Sequence, residues 1–164
     1  MQAKGEFAQI QQILEPALDL PGQPVKRGTM AHEHIVYMML ADGAALARDP
    51  EGLERYNPKL MELAKRDHHR PYLAIAQRAA GVAKWLAGEK DKARSELHGA
   101  LNQFLEINMH WQAGRTLHDL GQLELEAGAQ EDACDYFRRA LEVFEQMGAK
   151  PAAKVVSTTL GACS

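Results

Sequence analysis

From Ala133 onward the apolar and small residues fall at three- and four-residue spacings, as Ala133, Phe137, Ala140, Leu141 and Phe144, with polar residues between them. That spacing draws one buried stripe along an amphipathic helix. Gly128 ahead of the stripe and Gly148 behind it mark its ends. Before Gly128 a second apolar face, built from Leu117, Leu120 and Leu123 to Leu125, predicts a helix from about Trp111 to Ala127. No segment alternates strictly with period two, so no strand is predicted.

The same pair of helices is written more than once. "GEKDKARSELHGALNQF" from Gly88 and "GAQEDACDYFRRALEVF" from Gly128 share an apolar skeleton, and the chain matches itself at a shift of 40. Gly81 aligns with Gly121 and Gly161, Ala93 with Ala133, Ala100 with Ala140, and Phe104 with Phe144. Small residues at fixed offsets let neighbouring helix axes approach, and a repeated supersecondary unit implies a stacked array without a closed core. Upstream the match loosens. The expected units are a half unit over 1–22, full units over 23–69, 70–110 and 111–150, and a capping helix over 151–164, about seven helices in a single all-α domain. "LDLPGQPVKRG" reads as a Pro/Gly linker, and Pro16 and Pro58 fall inside expected second helices. Either proline would kink its helix, or Asn57-Pro58 would cap a fresh one.

Leu117, Leu120-Gly121, Ala133, Phe137 and Ala140, with Ala80-Gly81, Ala93, Leu97 and Ala100 one unit earlier, form a pattern that resembles the tetratricopeptide repeat. Lys84 and Glu124 stand where that family has an aromatic residue, the closing proline is missing from its usual place, and the period exceeds the family's typical length of about 34. Longer units ending as "ALEVFEQMGAKPAA" does resemble the repeat regions of MalT-like and LuxR-type bacterial regulators. The resemblance implies a right-handed α-solenoid of antiparallel helix pairs. It also implies an exposed inner face at Ile75, Arg78, Val82 and Trp85 in one unit, and at Arg115, His118, Gln122 and Leu125 in the next; Ile35, Met38 and Asp42 extend it upstream. Trp and Arg are common interface anchors, so such a groove suits a peptide with acidic or carboxylate features. The expected function is therefore a non-enzymatic protein- or peptide-binding scaffold or sensor module. In the regulator group the resemblance implies a different ligand, a small-molecule inducer, and it places an ATPase and a DNA-binding domain beside the repeats. This chain carries no phosphate-binding G-x-x-x-x-G-K-[ST] loop. Opening on a second helix, it reads either as singly capped or as cut from a longer protein.

Composition narrows the partners. Among 164 residues, 19 Lys and Arg against 22 Asp and Glu give a net charge of −3. No strong positive field exists to collect nucleic acid or an anionic membrane. No signal-peptide core and no apolar run of about 18 residues is present, so a cytoplasmic location is expected. Cys134 and Cys163 have neither the number nor the spacing of a disulfide framework or zinc site, and reduced thiols are expected. The seven His include His32 and His34, two apart on different sides of a helix, and His68-His69 at a turn; neither pair has the i, i+4 geometry of a helical metal site. No Ser lies in a G-x-S-x-G elbow, and the plentiful carboxylates read as a solvated face. A metal-dependent or hydrolytic enzyme thus lacks its ligands, and no catalytic residue, metal or cofactor is expected. Open solenoid ends leave self-association open, although Thr158 and Thr159 give the last helix a polar side.

Overall fold

The computed structural model describes residues 2–18, 30–161 and 163. They form an all-α solenoid; among them there are eight α-helices and no strand. Helix α1 spans Gln2–Leu14, followed by a 3-10 turn at Glu15–Ala17. Then come α2 (Met30–Ala47), α3 (Pro50–Arg66), α4 (Arg70–Leu86), α5 (Lys90–Glu106), α6 (His110–Ala127), α7 (Gln130–Gln146) and α8 (Lys150–Gly161). From α2 onward every helix starts 20 residues after the last.

One turn, used six times, sets that step. Arg48, His68, Gly88, Asn108, Gly128 and Gly148 all take positive φ, between 52° and 83°. The N–H that follows each of them reaches back five residues: Asp49 to Ala44, His69 to Ala64, Glu89 to Lys84, Met109 to Phe104, Ala129 to Glu124 and Ala149 to Phe144, at 2.8–3.0 Å. This is the 6→1 bond of a Schellman motif, which satisfies a carbonyl left over at the helix end. The carbonyl of that same following residue then accepts the first N–H bond of the next helix, as Leu53 to Asp49 and Ala133 to Ala129. Three residues therefore close one helix and open its antiparallel neighbour.

Each helix packs on the one before and after it, and α4 also packs on α2 and α6, so α2, α4 and α6 line one side of the array. The repeated small residues occupy the close approaches. A Cβ on Gly81 would stand 2.8 Å from Leu97 Cγ, and one on Gly121 would stand 2.5 Å from Phe137 Cε1. Phe137 and Phe104 are fully buried. Burial of each such side chain stabilises the fold by about 1.5–3 kcal/mol.

Five expectations need correction or placement. The unit expected over 23–69 contains a complete helix pair, α2 and α3. Residues 19–28 of the expected linker lie outside the described residues. Pro16 does not kink α1; the helix stops at Leu14, and Pro16 sits in the 3-10 turn. Pro58 starts no new helix: α3 runs on past it, with Pro58 on the exposed side and the buried Asn57 amide donating to the Ala76 carbonyl of α4 at 3.0 Å. The last correction concerns the thiols, for Cys134 and Cys163 form a disulfide. Antiparallel packing of α8 on α7 brings the end of one helix beside the start of the other, a proximity that residue spacing does not reveal.

Candidate functional site

The inner-face residues converge on a buried chain of ion pairs. Arg78 of α4 is only 2% exposed. Its Nη1 donates to Asp42 Oδ1 of α2 at 3.0 Å, while its Nε and Nη2 donate to Asp119 Oδ2 of α6 at 2.9 and 2.6 Å. Each carboxylate turns its other oxygen to a second arginine. Arg115 Nη1 donates to Asp42 Oδ2 at 2.7 Å, and Arg48 Nη2 donates to Asp119 Oδ1 at 2.7 Å. The order is Arg115, Asp42, Arg78, Asp119, Arg48, with cations at both ends. Gln112 Oε1 accepts from Arg115 and Gln122 Oε1 accepts from Arg48, each at 3.2 Å.

Sequence explains how these groups meet. Arg48 occupies the positive-φ turn position that Gly88 and Gly128 hold in the later units, an unfavourable conformation for a residue with a Cβ. From that turn its guanidinium lies 4.1 Å above the Trp85 ring while pairing with Asp119. Trp85 Nε1 in turn donates to Glu126 Oε2 at 2.6 Å. Arg48 thus holds a positive φ while its side chain meets Asp119, Gln122 and Trp85.

Electrostatics follow from three guanidiniums shared among two carboxylates. Burial would raise the Asp119 pKa, yet Arg78, Arg48 and Arg115 together bring it down to about 2. Burial would lower the Arg78 pKa, but Asp119 and Asp42 hold it above its ordinary value. Arg115 is lowered by burial and by Arg78. His118, one turn beyond Arg115, is lowered chiefly by burial, with Arg48 and Arg78 adding to the effect against Asp119. Arg48 Nη1, Arg115 Nη2 and His118 Nε2 are buried with no hydrogen-bond partner. A buried polar nitrogen left unpaired costs about 1–3 kcal/mol, and three guanidiniums against two carboxylates leave the cluster one positive charge in excess.

The inner-face expectations fare unevenly. Arg78, Arg115 and Gln122 join the chain, Trp85 underlies Arg48, and His118 sits beside it. Ile75 and Val82, however, are 3% and 0% exposed and belong to the core. Both pack into the hydrophobic core that α4 shares with its neighbours. Leu125 is 43% exposed, Ile35 is exposed, and Met38 packs partly against the core. Arg48, Asp119, Gln112 and Glu126 were missed. The one signal for Arg48 is its place opposite two glycines at a shift of 40.

The departure at Glu124 is also accounted for. Glu124 is 4% exposed and takes both Nε and Nη2 of Arg94 from α5, the latter at 2.9 Å, so an ion pair stands where an aromatic would pack. That pairing raises the Arg94 pKa, first through the Glu124 hydrogen bond. Elsewhere, a cleft of about 140 Å³ is lined by Phe7, Gln11, Ala47 and Asp49. It is well below the roughly 300–1,000 Å³ of pockets that enclose drug-sized ligands. Among the described residues no three His, Cys, Asp or Glu stand together as a metal site, and no helix is long and apolar enough to cross a membrane. No protein-family model matches the chain, and no curated protein matches it.

Proposed function

We propose that the chain is a tetratricopeptide-type, non-enzymatic binding module that takes an acidic segment of a partner protein on the face built from α2, α4 and α6. One observation carries the reading: the ion chain ends in Arg48 and Arg115, each with an unpaired buried nitrogen, and holds one more cation than anions. A partner carboxylate set against the Arg48 side chain, which is 26% exposed, would balance that excess. Charge-assisted hydrogen bonds of this kind are shorter and roughly twice as strong as neutral ones. Exposed Leu46, Leu86 and Leu125, at the C-terminal ends of the same three helices, offer apolar contacts beside the charges.

Trp85 supplies the assay, because its indole lies beneath Arg48. In a Trp111→Phe background, Trp85 fluorescence is titrated with peptides that carry Asp and Glu and with matched Asn and Gln peptides. Saturable binding of the acidic set, weakened at least tenfold by Arg48→Ala with Arg115→Ala at unchanged helicity, is expected. Equal responses to the acidic and amide peptides, or binding indifferent to the two replacements, would remove the proposal.

A further inference from the structure

The C-terminal helix is held differently from the others. In α7, Ala133, Phe137, Ala140 and Phe144 are all buried; in α8 only Val156 is. Gly161 repeats the register of Gly81 and Gly121, yet a Cβ there would touch nothing within 4 Å, whereas theirs would collide with Leu97 and Phe137. Those contacts join the two helices of one pair, α4 to α5 and α6 to α7, and Gly161 of α8 has no counterpart to them. Besides the buried Val156, covalent and polar ties hold the end of α8 to α7: Cys163 is bonded to Cys134, and the Gln130 side-chain amide donates to the Cys163 carbonyl at 2.9 Å.

We propose that Cys134–Cys163 is a redox latch on α8, and that reduction by a dithiol frees this helix and uncovers the face of α7 beneath it. Cys163 is buried and Cys134 is partly exposed, so the incoming thiolate attacks the Cys134 sulfur. The protein S–S bond breaks, and Cys163 leaves as a thiolate that takes a proton. The second thiol of the reductant then displaces Cys134 from the mixed disulfide. Two electrons pass to the protein, and the reductant departs as its own disulfide. The bond closes a loop across a separation of 29 residues. Losing a constraint of that length shifts the docking equilibrium of a weakly buried helix by about two orders of magnitude.

Amide hydrogen exchange tests the latch on the whole chain. In the oxidised protein, amides of residues 153–161 should exchange about a hundredfold more slowly than after treatment with dithiothreitol, while α4 to α6 stay unchanged. The double variant Cys134→Ser, Cys163→Ser should behave as the reduced protein does. Reduction of the natural chain gives the same comparison without a variant that has to fold. Exchange in α8 that differs by less than threefold between the two states would overturn the proposal. So would two titratable thiols in the folded protein after mild oxidation.

Discussion

The ion chain makes an asymmetric forecast: removing its central cation should cost less than removing one of its anions. Arg78→Met leaves Asp42 with Arg115 and Asp119 with Arg48, both at 2.7 Å, so each carboxylate keeps a guanidinium and the charges balance. What is lost is a set of charge-assisted hydrogen bonds, about 2 kcal/mol. Asp119→Asn has nearly the same shape, but it strips Arg48 of its carboxylate and leaves Arg78 with Asp42 alone. Three cations would then face one anion in a site where Arg78 and Asp119 are almost wholly enclosed. Breaking a buried pair in this way costs about 3–5 kcal/mol. Urea unfolding followed by helical circular dichroism measures both, provided the two curves keep the parent's slope. The double variant should lose less than the sum, because Arg78 no longer needs Asp119. If Arg78→Met costs as much as Asp119→Asn or more, excess positive charge does not govern this site and the reasoning fails.

Other consequences can be measured in the same way. Gly121→Leu should lower the melting temperature by overpacking against Phe137, at about 1–3 kcal/mol; an unchanged melt would contradict that contact. His68→Gly, at an exposed positive-φ turn, should raise stability by about 0.5–1 kcal/mol, seen as a higher urea midpoint. Stability should fall on acidification in two stages. His98 and His118 have folded pKa values below the ordinary value of about 6.5, so the unfolded chain binds protons first and stability drops as pH falls from there toward their folded values. Asp119 is depressed to about 2, so its contribution is present above its unfolded value near 3.9 and is lost as pH falls through that window toward 2. Midpoints that stay constant from pH 7 to pH 5 would contradict the histidine stage.

The sequence made the helices and their pairing plain because stripes such as Ala133, Phe137, Ala140 and Phe144 have a single helical reading. It also placed Gly81 and Gly121 at close contacts, since a recurring absence of side chain at one offset has few other causes. The first pair was harder to place. Its turn carries Arg48 where the later units have glycine, and the alignment weakens at the residue that matters most to the site. The inner face was half legible. A rule of offsets identifies Arg78 and Arg115, but it treats each helix as facing open space. Ile75 and Val82 lie in the hydrophobic core, and the partners that Asp42 and Asp119 find two units away are equally invisible to that rule. Such meetings, like that of Cys134 with Cys163 across α7 and α8, follow from how helices pack on one another, which offsets along one helix do not carry.

The six identical turns make this chain divisible in one way only. Each turn ends a helix and starts another after 20 residues, so excision of 20 would set two inner-face helices side by side and invert every later face. Excision of 40, such as residues 90–129, would bring Glu89 before Gln130 and reproduce a junction the fold already uses. Length can therefore change by duplication or loss in even steps, and odd steps are barred by geometry before any side chain is considered.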